Sequence, residues 1–197
     1  NDNYTVEVDF SGFHISLAYA LEGHQPPDDP YSLSVSIGGL STEQQRKDVK
    51  LLALTAINAT DRKATYSAFR DHKNNKQRGL SQSQKIRYPN KVLEPLLDAF
   101  LTENQPIAHY LCADKGVELM ALDGKVTTEV IRHFTTKNIP ILTVHDSYIV
   151  DSRHQEELER VMQLVTQGLT NNVNFRLSLD KLSTTQIQAF SNQDRQV

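Results

Sequence analysis

Two aspartates lie where predicted strands end, at positions from which their carboxylates could bind a metal ion. Asp9 closes the alternating polar and apolar segment 5–10, and Asp146 lies in the turn between the β-branched runs 141–144 and 148–150. Short apolar runs bounded by proline or polar pairs predict strands, and the second pair predicts a β-hairpin. Asp is also common in turns because it hydrogen-bonds the backbone two residues on, so Asp146 alone has a plain structural interpretation.

Two acidic strand ends in one small domain together predict a shared metal site. Phosphoryl and nucleotidyl transfer use two divalent ions about 3.5–4 Å apart, held by carboxylates from separate rigid elements. Magnesium prefers hard oxygen ligands and takes the remainder from water and substrate phosphates, so two aspartates suffice. We therefore expect Asp9 and Asp146 to hold two Mg²⁺ ions, for which Mn²⁺ can substitute.

Composition narrows the class of protein. The chain has 197 residues, a net charge of −3 and a single cysteine, Cys112. No apolar stretch reaches 18 residues, which predicts no membrane span, and a lone cysteine fits a reducing compartment. We expect an intracellular protein, of the cytoplasm or of a phage or organelle replicon. Because Asn1 is not Met and a strand follows almost at once, we also expect a segment of a longer polypeptide.

Hydrophobic periodicity predicts an α+β fold with a mostly antiparallel sheet. The expected strands are 5–10, the two hairpin strands and an edge strand at 173–179. Asp123-Gly124 predicts a turn with a helix start, and the tail after Ser183 is expected to fray. Apolar residues at helical spacing predict helices over 13–21, 43–58, 61–69, 92–101, 126–134 and 158–165.

A basic segment runs from residue 62 to residue 91. It holds nine of the 21 lysines and arginines and only one acid, Asp71. Such a stripe favours phosphate backbones or triphosphates, because each neutralised phosphate releases a counterion. The alternative is a solvated insertion, which its Asn, Gln and Ser content favours. The basic residues are Arg62, Lys63, Arg70, Lys73, Lys76, Arg78, Lys85, Arg87 and Lys91.

Both aspartates lie in longer motifs. Asp9-Phe10-Ser11-Gly12-Phe13-His14 resembles the first catalytic motif of the palm in single-subunit nucleotidyl polymerases, the superfamily of family A DNA polymerases and phage-type and mitochondrial RNA polymerases. His145-Asp146-Ser147 resembles the third motif in its phage-type form, whereas family A enzymes usually have His-Asp-Glu. The similarity covers residues 119–165 well and 6–22 moderately.

The resemblance implies a fold, an activity and further site residues. Residues 1–24 and 105–197 would form a palm-like antiparallel sheet packed on helices, and 25–104 a helical fingers-like insertion. The activity would be template-directed nucleotidyl transfer, with nucleic acid and nucleoside triphosphates as partners and further domains in the same polypeptide. The Phe10 carbonyl would assist the metals, His145 would contact the growing 3′ end, and His14 occupies the place of a sugar-selecting Glu.

The superfamily's second motif is matched only in part. Arg46 and Lys50 have its Arg-to-Lys spacing, and residues four apart share a helix face, so both could reach a triphosphate. An ordinary charged helix face is the alternative. The Tyr-Gly positions of the motif hold Asn58-Ala59 instead, so the aromatic platform of the motif is missing.

Two other functions fit the same aspartates. An RNase H-like metal-dependent nuclease would need a third carboxylate near the metals, for which Glu118, Glu129 and Asp151 are candidates, and usually has a parallel strand pair. A non-catalytic, palm-derived nucleic-acid-binding module would keep the fold without the reaction, as the Asn58-Ala59 departure favours.

Overall fold

The structure, a computed structural model, describes residues 4–81 and 86–181, the side chains of residues 180 and 181 excepted. The chain divides into two compact units. The sheet unit comprises Asn1–Gln25 and Leu122–Val197, and the helical unit comprises Pro26–Ala121. Lys85 and the tail after Ser183 lie outside the described residues. The palm-like and fingers-like assignment of the two parts of the chain stays a prediction.

The elements follow one another as strand, helices, hairpin, helix and strand. In chain order they are β1 (Thr5–Phe10), α1 (Phe13–Leu21), α2 (Thr42–Ile57), α3 (Arg62–Lys76), α4 (Asn90–Glu103), a 3₁₀ helix (Gln105–Tyr110), α5 (Gly116–Thr136), β2 (Leu142–Val144), β3 (Ser147–Asp151), a second 3₁₀ helix (Ser152–His154), α6 (Gln155–Leu169) and β4 (Leu177–Lys181).

The four strands form one sheet in the order β2-β3-β1-β4. Each described pair is antiparallel, which confirms the predicted α+β class. β1 lies in the middle, with Val8 opposite Tyr148 of β3 and opposite Leu179 of β4. The N-terminal strand is therefore bonded on one side to the hairpin and on the other to the last described strand.

Alternation along β1 separates the two faces of the sheet. Val6, Val8 and Phe10 are buried, whereas the intervening residues are partly or fully exposed. The buried face packs on α6, where Leu158 and Met162 are inaccessible to solvent. Since side chains alternate between faces in a strand, the even-numbered residues of β1 form the core and the odd-numbered ones form an open face.

Side-chain caps begin two helices of the helical unit. The Ser41 hydroxyl accepts from the Gln44 N–H at 3.2 Å at the start of α2, and the Asp61 carboxylate accepts from the Ala64 N–H at 2.7 Å at the start of α3. Each cap satisfies a backbone donor that the first helical turn leaves open. The prediction of a second helix that follows α2 after Asp61 is confirmed.

Two local predictions are wrong. Asp123-Gly124 lies inside α5 and not at a turn; glycine costs a helix about 1 kcal/mol, which burial of Val126, Val130 and Phe134 offsets. β4 begins at Leu177, later than expected, and the Phe175 ring that precedes it is buried. Over the described residues, no helix combines the length and apolar character that crossing a bilayer requires.

Candidate active site

The two aspartates come to the same end of the sheet. Asp9 lies opposite Ser147 where β1 pairs with β3. The Phe10 N–H donates to the Asp146 carbonyl at 3.5 Å, so the first strand reaches the hairpin turn itself. Both aspartates are partly exposed. Two carboxylates that are distant in sequence are thereby carried by adjacent backbone segments at one end of the sheet.

The hairpin turn between β2 and β3 has only two residues. Val144 pairs with Ser147, which leaves His145 and Asp146 as the loop. His145 has a φ of 55°, in the left-handed region that costs a residue with a Cβ about 1–2 kcal/mol. The turn is therefore strained at the residue next to the candidate metal ligand, a pattern common at functional sites.

Glu7 joins Asp9 on the open face of the sheet. The Ser147 hydroxyl donates to the Glu7 carboxylate and also lies 2.9 Å from the Val144 carbonyl. Its single proton favours the charged acceptor. Glu7 is therefore partly exposed on the open face and accepts a hydrogen bond from Ser147. The period-two alternation of β1 is the sequence pattern that places Glu7 and Asp9 on one face of the sheet.

Tyr148 anchors the hairpin to α5 from the other face. Its side chain is fully buried, and its hydroxyl lies 3.0 Å from the Thr127 hydroxyl. Burial, together with the negative charges of Asp123 and Asp146, raises the pKa of Tyr148 to about 12. The phenol therefore stays protonated at neutral pH and can serve as a hydrogen-bond donor.

His14 also has a partner within the sheet unit. Its Nε2 lies 3.4 Å from Asp123 Oδ2, with both side chains about one-quarter exposed. Asp123 also accepts from the Thr127 hydroxyl at 3.4 Å. The structure thus links α1 to α5 through His14, and the predicted contact of His14 with a nucleotide stays a prediction.

Phe10 can contribute to a metal site only through its backbone. Its ring stacks on Phe13 at a centroid distance of 4.1 Å and packs edge-on against Tyr148 and Phe175. Two carboxylates and a carbonyl are hard oxygen donors, the set that suits magnesium. Within the described residues, no three His, Cys, Asp or Glu side chains group closely enough to hold a metal ion. Water and phosphate would therefore have to complete the coordination.

In the helical unit, Arg46 and Lys50 are exposed on one face of α2. Arg46 is engaged by the carboxylate of Asp29, through both Nε and Nη2. The Lys50 ammonium lies 5.8 Å from the centroid of the Tyr31 ring. The two predicted triphosphate ligands thus both contact the segment between α1 and α2.

The basic segment separates into internal and exposed residues. Lys73 pairs with the buried Asp48, Arg62 pairs with Asp98 at 2.6 Å, and Arg70 donates to the Tyr88 carbonyl at 2.9 Å. Lys73 and Arg70 are partly buried and support the fold of the helical unit, whereas the Arg62 side chain stays 49% exposed. The members that remain exposed in the described part of the segment are Arg62, Lys63, Lys76, Arg78, Arg87 and Lys91.

Asn58 and Ala59, at the positions of the missing Tyr-Gly, end α2. The Asn58 amide donates to the Leu54 carbonyl at 2.9 Å, and Ala59 is 7% exposed. An ideal Cβ on Gly116 would come within 1.9 Å of Asn58 Oδ1, so α5 begins directly against this side chain. The position caps a helix and offers no aromatic surface.

The proposed third carboxylates of a nuclease have other partners. Asp151 pairs with Arg153, Glu129 with Arg132 and Glu118 with Lys115. Asp151 lies opposite Thr5, four residues along the strands from the Asp9 pair, or roughly 13 Å at 3.3 Å per residue. The described sheet also contains no parallel pair. The arrangement therefore offers little support for an RNase H-like core.

No protein-family model and no curated protein matches the chain. Among solved structures, it is similar to the POL domain of Pol1 from M. smegmatis in complex with DNA primer-template and dNTP, with a TM-score of 0.41 and 11% identity. The match covers 91% of this chain and 40% of that one, so the chain spans less than half the length of that protein. At this level, the similarity carries no argument about function.

Proposed function

We propose that this chain is part of a template-directed nucleotidyltransferase, a DNA or RNA polymerase, in which Asp9 and Asp146 hold two Mg²⁺ ions. One observation carries the proposal. The Asp9–Ser147 register and the bond from the Phe10 N–H to the Asp146 carbonyl bring the two acidic motifs to one sheet end.

The surrounding residues support a rigid site. Tyr148 ties β3 to α5 through Thr127, and the stack of Phe10 on Phe13 fixes the end of β1. Asp9 lies on a paired strand and Asp146 in a two-residue turn closed by the Val144–Ser147 pair, so the backbone at both carboxylates is held more closely than in a long loop. Metal chemistry of this kind rewards such precision, because ligand positions must hold to within about 0.5 Å.

Each residue then has a defined task. Bound magnesium would lower the pKa of an attacking 3′-hydroxyl and stabilise the leaving pyrophosphate. The Asp9 and Asp146 carboxylates, with the Phe10 carbonyl, supply hard oxygen ligands. Arg46 and Lys50 neutralise triphosphate charge, while His145 meets the growing 3′ end. Nucleic acid would be attracted by the exposed basic residues Lys63, Lys76, Arg78 and Arg87, and by Lys85.

Primer extension tests the proposal. A labelled primer-template is incubated with Mg²⁺ and with either dNTPs or NTPs, and wild type is compared with Asp146→Asn. The matched control is Asp151→Asn, which removes a carboxylate from the same strand pair at the far end of the sheet. We expect Asp146→Asn to lower the rate by more than about a hundredfold, because loss of outer-shell groups alone costs 10–100-fold. The control should retain near wild-type activity.

Other outcomes favour other functions. Shortening of the primer, abolished equally by Asp146→Asn and Asp151→Asn, would replace the polymerase proposal with a nuclease. Equal rates of primer extension by wild type and Asp146→Asn would show that the Asp146 carboxylate takes no part in the reaction.

A non-catalytic nucleic-acid-binding module is the second candidate, favoured by Asn58. That side chain ends α2 and contacts the start of α5, so the helix presents no aromatic platform at this position. Tight binding of the primer-template without extension, unchanged by Asp146→Asn, would establish this candidate.

A further inference from the structure

A proline-rich segment lies along α2 in the helical unit. We call residues 26–39 the strap. The Gln45 amide fastens it: Nε2 donates to the Val35 carbonyl at 2.6 Å, and Oε1 accepts from the Ile37 N–H at 2.7 Å. Gln45 is 5% exposed, so both bonds are shielded from water. The C-terminal half of the strap is therefore held to α2 independently of any charge.

The middle of the strap is held to the end of α4. The Glu103 carboxylate accepts from the Ser34 N–H at 2.9 Å and from its hydroxyl at 2.7 Å. The Asn104 amide donates to the Pro30 carbonyl at 3.3 Å. These anchors flank Tyr31, whose ring is buried and stacks on Phe100. The turn that carries Asp29 is consequently fixed next to α2.

Asp29 lies at the tip of this turn and is aimed at Arg46. Its Oδ1 accepts from the Tyr31 N–H at 3.3 Å, which sets the carboxylate direction. The same oxygen accepts from Arg46 Nη2 at 3.1 Å, and Oδ2 accepts from Nε. This is the two-bond geometry with which a guanidinium binds either a carboxylate or a phosphate. One edge of the Arg46 fork thus already holds an oxyanion.

We propose that Asp29 is an internal phosphate mimic, so that the strap keeps the Arg46–Lys50 face of α2 in a low-affinity state until a polyphosphate displaces the carboxylate. The inference rests on the proposed function, since it assigns a regulator to the predicted triphosphate ligands. The ligand class is a nucleoside triphosphate or another chain of phosphates.

The ion pair can open without loss of the fold. Arg46 and Asp29 side chains are 48% and 31% exposed, so water can replace each partner. Exposed pairs of this kind contribute little, typically a factor of about two to five in an equilibrium. The strap keeps its Gln45 and Glu103 anchors when Asp29 releases. A triphosphate carries several charges against one on the carboxylate and can therefore compete for the guanidinium.

Calorimetric titration of the full chain with inorganic tripolyphosphate, at low salt and in EDTA, tests the inference. Low salt preserves exposed charge interactions, and removal of metal isolates the basic face from the aspartates. The variant is Asp29→Asn, which keeps an acceptor for the Tyr31 N–H. The matched control is Glu43→Gln, which removes a carboxylate from the first turn of α2 where it pairs with Lys47. Both variants change the net charge equally.

We expect Asp29→Asn to bind tripolyphosphate about two- to fivefold more tightly than wild type, and Glu43→Gln to stay near wild type. In an Arg46→Gln background, Asp29→Asn should have no effect, because its action runs through the guanidinium. Equal affinity of wild type and Asp29→Asn overturns the inference, as does an equal gain in Glu43→Gln. If primers are extended normally in that case, the proposed function stands. If the chain neither extends primers nor binds tripolyphosphate, both the proposed function and the Asp29 inference are wrong.

Discussion

Lys73→Met should destabilise the helical unit much more than the loss of an exposed lysine would, although Lys73 belongs to the polar basic segment. Asp48 is fully buried, and Lys73 is its only cationic partner in the described part of the chain. The Gln44 amide also donates to this carboxylate, at 2.8 Å. The Lys73 ammonium lies 5.4 Å from the Phe69 ring centroid and 5.2 Å from that of Tyr88. Methionine would fill the aromatic space but leave a buried charge unpaired.

The expected loss follows from this burial. Removing one partner of a buried ion pair costs about 3–5 kcal/mol. The Lys73 side chain is 14% exposed, so its ammonium is not fully desolvated, and we use the lower end of this range. A loss of about 3 kcal/mol corresponds to a fall of roughly 6–12 °C in the melting temperature for a chain of this size.

Thermal and urea unfolding followed by circular dichroism measure this loss. Lys63→Met, an exposed position on the same helix, is the control and should change stability by no more than about 0.5 kcal/mol. If Lys73→Met costs no more than Lys63→Met, Asp48 does not depend on this lysine. Lys73 would then return to the set of predicted nucleic-acid contacts.

Three further substitutions test local features. Gly124→Ala should stabilise the chain by about 1 kcal/mol in urea unfolding, because a Cβ there meets nothing within 4 Å inside a helix; a loss would reveal an unseen contact. Tyr148→Phe should cost about 1 kcal/mol by removing the bond to Thr127. The pKa of Tyr148 in the folded chain is raised to about 12, so the free energy of unfolding should fall as the pH rises from 10 to 12. The Tyr148→Phe variant should show a shallower decline over this range, and an identical slope would contradict the burial argument. Glu157 has its pKa lowered to about 2, chiefly by Lys137, so stability should fall as pH drops from about 4.5 to 2. Glu157→Gln should flatten that acid limb in pH-dependent urea unfolding, and an unchanged limb would count against the ion pair.

Local patterns made much of the sheet unit predictable. Alternation in residues 5–10 and the two apolar runs flanking His145-Asp146 each carry their own strand signal, so the α+β class and the hairpin could be read directly. The juxtaposition of the first strand with the hairpin came from the resemblance and from the expectation of a shared metal site, and the observed register supports it. The sequence thus predicts that Asp9 and Asp146 lie near each other, and their role as metal ligands stays a prediction.

Features that depend on tertiary packing escaped the sequence. Neither the burial of Lys73 against Asp48 nor the capture of Arg46 by Asp29 has a local signature, because each joins residues at least 17 positions apart. Charge counting treated all lysines and arginines of the basic segment alike, whereas folding commits some to internal partners. Gly124 was misread for a related reason: its local preference for a turn is outweighed by the buried side chains on either side of it in α5.

The central claim is that the carboxylates of Asp9 and Asp146 coordinate the same cations. A crystal structure with Mn²⁺ and a nucleoside triphosphate tests it most directly, because an anomalous difference map locates the manganese ions. The account predicts manganese density between the two carboxylates, with oxygen ligands at about 2.1 Å. Carboxylates that face apart, with the manganese bound elsewhere, would contradict it.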